Sequence, residues 1–188
     1  MNGTLMRETL SKLRPYRPHS YWEKRSGRYL QEGLDSSEKA QTALKYFDGM
    51  TIVEIGCGPG INFPALNPEV GIDFSMNQLR QIQHFDGDLI NADASFLPFR
   101  DGAFDGVYLS KVLLHIPHDQ IDNVRKEILR VAKKIVLLNE PLRSSARASS
   151  KRLKKHCFDH DHVEGFARLE HETKIIDNMF MIRKENKR

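Results

Sequence analysis

Cysteine is scarce in this chain. Cys57 and Cys157 are the two it has in 188 residues, too few for a disulfide framework, so a cytoplasmic protein is the expectation. Long apolar runs are missing too. Nothing approaches the roughly 20 residues that span a bilayer, so no membrane span is expected. The first 20 residues carry Arg7, Lys12, Arg14 and Arg17 between polar breaks, which argues against a secretory signal. No internal repeat is present, and only 144–151 approaches low complexity. The hydrophobic fraction of 39% fits one soluble domain with a real core.

Charge is uneven around a net +4. Residues 143–156 hold Arg143, Arg147, Lys151, Arg152, Lys154, Lys155 and His156, and the chain ends in Arg183-Lys184-Glu185-Asn186-Lys187-Arg188. Such patches can hold phosphates or an acidic partner. No aromatic or glycine-rich RNA-binding module accompanies them, and solvated surface is the plainer reading.

What the chain does have is two short apolar runs with acids at their ends. Residues 52–60 read Ile-Val-Glu-Ile-Gly-Cys-Gly-Pro-Gly, and 71–75 read Gly-Ile-Asp-Phe-Ser. In an open α/β sheet, ligands bind beyond the carboxyl ends of the strands, near the point where strand order reverses. Glycines after the first strand allow a tight turn and a close backbone approach to a ligand. An acid ending the second strand, Asp73, can accept both hydroxyls of a ribose. An adenosine-containing cofactor is implied. The dinucleotide fingerprint is G-x-G-x-x-G with an acid about 20 residues onward. Here Gly56, Gly58 and Gly60 give G-x-G-x-G, and Ile61 stands where the third glycine belongs. The Lys-Ser/Thr pair of a P-loop is absent, so nothing is built to hold a pyrophosphate through a lysine.

These two motifs resemble those of the class I S-adenosylmethionine-dependent methyltransferases, specifically the type 11 group. The resemblance continues through Asn91-Ala92-Asp93-Ala94 with Leu97-Pro98-Phe99, through Phe104-Asp105-Gly106-Val107-Tyr108, and through Leu114-His115-Ile116-Pro117. It covers about residues 50–140. It implies an α/β fold: a Rossmann-like three-layer sandwich whose mostly parallel, seven-stranded sheet ends in an antiparallel hairpin. It also implies a single domain over 1–188, with 1–48 as an N-terminal helical cap or arm and 49–188 as the core.

Periodicity places the elements. Pro15 and Pro18 punctuate a short helix and an extended arm over 1–19. Tyr21, Trp22, Arg25, Tyr29 and Leu30 recur at helical spacing. Asp35 or Ser36 can cap a second helix with Ala40, Ala43, Leu44 and Phe47 on one face. Strands are expected at 50–55, 69–73, 88–91, 105–110 and 134–139. Pro64 and Pro68 reduce the first crossover helix to one or two turns. A helix is expected from Met76 to His84 with Ser75 as its cap, and another after Pro117 with Ile121, Val124, Ile128, Leu129 and Ala132 inward. The remainder reads as a helix near 160–168 and strands at 171–176 and 178–183, with a hairpin turn at Asp177-Asn178.

The resemblance implies S-adenosylmethionine as cofactor and S-adenosylhomocysteine as product. Gly56, Gly58 and Gly60 are expected to wrap the cofactor through backbone amides, with Cys57 as a small buried side chain beneath it. Glu54 orders that loop or meets the cofactor's ammonium, Asp73 holds the ribose hydroxyls, and Phe74 covers one adenine face. Asp93 accepts the adenine amino group beside the Ala94 amide, and Ser110 lies next to the methyl group. Tyr21 and Arg25, with Trp22, reach the methionine carboxylate or form a packed aromatic helix face. His115 is the candidate base, followed by His118 and Tyr108. Asp159-His160-Asp161-His162 has the composition of a metal cluster, but a helix start with a capping Asp and exposed His residues is the expectation, and no metal is assigned.

The acceptor is narrowed by further absences. No Asn/Asp-Pro-Pro-Tyr/Phe motif and no Pro-Cys nucleophile is present, and no sizeable insertion follows strand five. A small metabolite or an anionic conjugate is the first reading. RNA or protein methylation using the basic patch is the second. A non-catalytic partner subunit is a third, kept open by the shortened helix after Gly60.

Overall fold

A computed structural model describes residues 18–25, 34–141 and 157–184. Residues 1–17 of the arm expected over 1–19 and the basic stretch 143–156 lie outside the described residues. Short apolar runs become strands where both faces can be covered. β1 (Ile52–Ile55) and β2 (Val70–Asp73) are buried at every position, as parallel strands between helical layers are. β3 (Asp88–Asn91), β4 (Phe104–Ser110) and β5 (Ala132–Asn139) continue the parallel sheet. β6 (Thr173–Ile176) and β7 (Met179–Arg183) complete it as an antiparallel hairpin. Among the described residues the order is β3-β2-β1-β4-β5-β7-β6. β1 pairs with both β2 and β4, Glu54 lying opposite Gly71 on one side and Tyr108 on the other. Strand order reverses there, so the ligand crevice belongs beyond the carboxyl ends of β1 and β4.

The helices are α1 (Pro18–Arg25), α2 (Leu34–Leu44), α3 (Phe63–Leu66), α4 (Met76–Leu79), α5 (Ile121–Val131) and α6 (His162–Ala167). Strand alternation sends Val53, Ile55, Val107 and Leu109 to one face, against Ile121, Val124, Ile128 and Leu129 of α5 and Phe166 of α6. It sends Ile52, Tyr108, Ile135 and Leu137 to the other, against Ala40, Ala43 and Phe47. An eleven-residue helix such as α5 is marginal in isolation. Each fully buried aliphatic side chain contributes about 1.5–3 kcal/mol, so this stripe is what holds α5 in place. The hairpin turns through Asp177 and Asn178, both at positive φ (48 and 59), which matches the right-handed twist of paired strands. α2 and the residues after it are clasped to that turn: Lys39 Nζ donates to the Asp177 carbonyl at 3.0 Å and the Tyr46 hydroxyl to its carboxylate at 2.7 Å.

Several boundaries differ from expectation. α2 begins at Leu34, just before the expected caps, and Leu44 is exposed. α4 stops at Leu79 although its Ser75 cap forms, accepting from the Gln78 amide. The Gln81 side chain donates to the Asn77 carbonyl at 2.8 Å, the acceptor that the next helical amide would use, and the backbone goes on in tighter turns. Ala132 opens β5 and is not part of α5; it pairs with Phe104 ahead of a bulge before Gly106. Among the described residues no helix is long and apolar enough to cross a membrane.

Candidate functional site

The chain leaves β1 through a turn at residues 56–60 in which Gly56, Gly58 and Gly60 all take positive φ (71, 55 and 76). Gly56 lies against Val112, and a Cβ there would run into the valine side chain. Gly58 is different: a Cβ on it would meet nothing within 4 Å, so this face of the turn is open to a ligand. The turn's own amides are engaged inside the protein. Gly56 and Cys57 donate to the Ile72 carbonyl at 2.7 and 2.9 Å, and Gly60 to the Cys57 carbonyl at 3.1 Å. Gly58 donates to Asp73 Oδ2 at 2.9 Å. The three glycine amides therefore shape the turn in this structure.

Two carboxylates lie beneath the turn. Asp73 ends β2, is 7% exposed, and accepts the Gly58 amide on one oxygen and the Ser75 amide, at 2.8 Å, on the other. An ionised carboxylate has about four lone-pair positions, so the two amides fix its plane and leave capacity for a bound group. Burial pushes Asp73 up to about 6 while both amides pull it down. Glu54 on β1 is 0% exposed. Asn62 donates to its Oε1 at 2.6 Å. The other oxygen, Oε2, and the Asn62 Oδ1 are buried without a hydrogen-bond partner among the described residues. Burial pushes Glu54 up to about 8, Asn62 pulls it down, and Asp73 adds to the rise. A buried carboxylate with an orphaned oxygen, next to an open glycine turn and a second acid, suits a ligand that carries positive charge and hydroxyl donors.

Around these the other candidates fall at different distances. Cys57 is buried with Phe63 and Leu79. Burial raises its thiol well above the usual range, so it stays protonated, which suits a small side chain under the turn better than a nucleophile. Phe74 is half-buried beside Asp73. Asp93 is exposed two residues past β3, and its Oδ1 accepts from the Ser95 amide at 2.8 Å and hydroxyl at 2.7 Å. Ala94 is half-buried next to it. The Asn91 side chain ties this segment to the Asp73 carbonyl at 3.0 Å. Ser110 ends β4 and accepts from the Asn139 side chain at 2.9 Å.

α1 lies over this end of the sheet. The Asn77 side-chain Nδ2 donates to the Glu23 carbonyl at 3.3 Å, and Tyr21 packs on Trp22. Trp22 in turn meets the ring of His115, which sits in a 3-10 turn over Leu113–His115. The Arg25 side chain lies outside the described part of its helix. His115 Nδ1 is also 4.0 Å from Cys157 Sγ. His118 is exposed and packs on Phe158 and His160. Tyr108 is fully buried and its phenol is raised by that burial, which removes it as a base at neutral pH.

The acid-histidine run 159–162 resolves into structure. Asp161 caps α6 by accepting the Glu164 amide at 2.9 Å. His160 Nε2 is 2.8 Å from the Ile116 carbonyl. His162 packs on Phe180 and is 4% exposed, so the expectation of exposed histidines is corrected. Among the described residues no group of three or more His, Cys, Asp or Glu side chains is placed to hold a metal.

Two residues escaped the sequence reading. Glu140 follows β5 and accepts the amides of Val112, Leu113 and Leu114 at 2.7, 2.8 and 3.3 Å, holding the segment that carries His115. An acid ending an apolar run is the signal that singled out Asp73, and it was present here too. Asn62 had no such signal.

Residues 53–138 match the family described as methyltransferase domain. An uncharacterised protein of Methanocaldococcus jannaschii, MJ1252, is 31% identical over 87 residues, 46% of this chain and 34% of that protein. The chain thus spans about a third of the length of the curated relative it matches. Among solved structures, the DhpI–SAH complex superposes with a TM-score of 0.68 at 15% identity, covering 90% of this chain and 95% of that one. Magnesium protoporphyrin IX methyltransferase of Synechocystis PCC 6803 with bound SAH gives 0.62 at 12% identity, covering 84% and 88%. At these identities the superpositions speak for the fold.

Proposed function

We propose that this chain, whose residues 53–138 match the methyltransferase domain family, is a class I S-adenosylmethionine-dependent methyltransferase that binds S-adenosylmethionine beyond the carboxyl ends of β1, β2 and β4 and passes its methyl group to a small acceptor. One observation carries the reading. Asp73 is held nearly buried by the Gly58 and Ser75 amides beside Glu54, whose second oxygen has no hydrogen-bond partner among the described residues. The pair fits a ligand with ribose hydroxyls and a cationic amino-acid end, and the side of the turn at Gly58 is open to it.

When bound, the cofactor supplies a methyl group on a sulfonium that is already an excellent leaving group. The chain's part is then chiefly to align the acceptor and exclude water. Asp73 orients the ribose, Glu54 favours the positive end through its charge, and residues 1–48 act as a cap through α1. Asp93 and Ala94 serve the adenine, and Phe74 covers its face. Ser110 and His115 border the acceptor, with His115 taking a proton where the nucleophile arrives protonated. The acceptor is a metabolite or an anionic conjugate. The run of Lys and Arg over 143–155 favours an acidic acceptor and supports RNA or protein as the second reading. A cytoplasmic site of action accords with the low cysteine content.

Calorimetric titration with S-adenosylmethionine and S-adenosylhomocysteine tests this, with Asp73→Ala alongside. Losing two charge-assisted hydrogen bonds weakens binding by about 100-fold or more. A folded wild type that binds neither ligand would falsify the enzyme reading and favour a non-catalytic partner subunit.

A further inference from the structure

The cluster beneath the glycine turn contains a side chain with no role so far. Asn62 is buried between the turn and α3, although the chain around it, Ile61-Asn62-Phe63-Pro64, is otherwise apolar. The one hydrogen bond of its side chain among the described residues runs from Nδ2 to Glu54 Oε1 at 2.6 Å. The helix that follows does not need it: Asn62 stands at the N-cap of α3 yet makes no side-chain cap bond there. A buried amide costs free energy unless it is paired, so its use lies in what it does to Glu54.

We propose that Asn62 is a positioning residue for cofactor capture: its amide holds the Glu54 carboxylate by one oxygen and favours its charged form, so that the other oxygen's charge acts on a cation bound over the turn. This rests on the function proposed above.

The surroundings make such a residue necessary. Asp73 faces Glu54 from β2 and opposes its ionisation. Cys57 in the turn and Tyr108 on β4 both feel the Glu54 charge, and both remain protonated because burial raises them. None of these neighbours supplies a positive charge. Of the groups around it, Asn62 is the one whose hydrogen bond pulls Glu54 back toward ionisation. A hydrogen bond to an ionised group outweighs one to a neutral group, so removing the Asn62 amide moves the ionisation of Glu54 to higher pH. A cation that binds better to charged Glu54 then binds more weakly near neutrality, and equally well once the pH is high enough to ionise the carboxylate in either protein.

The test is calorimetric titration with S-adenosylmethionine across pH for four proteins: wild type, Asn62→Leu, Glu54→Gln, and the double variant. The ligand's own ammonium titrates identically throughout, so the variants are compared at each single pH. Asn62→Leu is expected to bind about tenfold more weakly at neutral pH and to converge on the wild type in the alkaline range. Adding Asn62→Leu to Glu54→Gln is expected to change nothing further. Circular dichroism and a thermal melt confirm folding, and Asn62→Ala replaces the leucine variant if that one does not fold. A loss of equal size at every pH, or one that persists in the Glu54→Gln background, overturns the proposal and leaves Asn62 a packing residue. Failure of the wild type itself to bind at any pH overturns the functional reading, and this inference with it.

Discussion

The Trp22 indole meets the His115 imidazole edge-on, with ring centroids 4.7 Å apart and planes at 68°. This contact joins α1 to the segment after β4, while the Asn77–Glu23 bond joins α1 to the side of β2. The helix therefore crosses the mouth of the crevice. Trp22 is the single tryptophan of the chain, so its emission reports on this corner of the site. Removing the imidazole takes away part of the cover over the indole, so the emission is expected to shift to longer wavelength in His115→Ala. A fluorescence spectrum decides it; an unchanged spectrum would mean that this ring contact does not shield Trp22.

Stability should depend on pH through the buried acids. Burial raises Glu54 to about 8, Glu140 to about 7 and Asp73 to about 6. A carboxyl raised in the folded state contributes stability that is complete below its unfolded value and is lost as pH climbs through the folded one. His162 runs the other way. Burial lowers it to about 3, so its contribution is intact above the ordinary histidine range and is lost as pH falls toward 3. The two effects oppose each other in mild acid. From about pH 7.5 to 8.5 the histidine is largely neutral in both states, leaving Glu54, with the upper end of the Glu140 titration, to set the slope. The urea midpoint of the ligand-free protein is expected to fall over that interval, and Glu54→Gln to flatten the fall. A midpoint that rises with pH there would contradict the assignment of these groups as buried acids.

Two glycines of the turn should respond differently to alanine. Gly56→Ala meets the Val112 side chain as well as an unfavourable φ. It is expected to cost about 2–4 kcal/mol, combining overpacking with backbone strain. Gly58→Ala carries the φ penalty alone, about 1–2 kcal/mol. Its new methyl projects into the open side of the turn, so it should cost cofactor affinity out of proportion to stability. Paired melts and titrations separate the two, and equal effects on both quantities in both variants would mean that Gly58 does not border the ligand.

The parts of this site that were legible in the sequence share one property: their signal is local. Glu54 and Asp73 stand out because an acid sits at the carboxyl end of an apolar run, and the Asp177-Asn178 turn because of its residue types. α4 ends short of His84 because a side chain, Gln81, takes over a backbone acceptor, which no local pattern announces. His162 was misjudged because Phe180, the ring that helps bury it, comes from a strand 18 residues later. Asn62 was illegible because its partner is eight residues back across the turn, at a spacing with no periodicity. The glycine turn announced itself by composition, but the sequence did not show that its amides close on Ile72, Cys57 and Asp73.

The clasp between α2 and the last hairpin bears on how the chain is made. Asp177 follows Lys39 by 138 residues. At the usual pace of translation, about 5–20 residues per second, roughly ten seconds separate their emergence. Through that interval Ala40, Ala43 and Phe47 have no Met179 or Met181 to meet, since β7 has not yet been synthesised. The face that the first strands could already cover is thus left waiting for the final ones. A nascent chain stalled before residue 179 should expose a greasy helix to chaperones, while the opposite layer, built on β1, β4, β5 and α5, has most of its residues in hand.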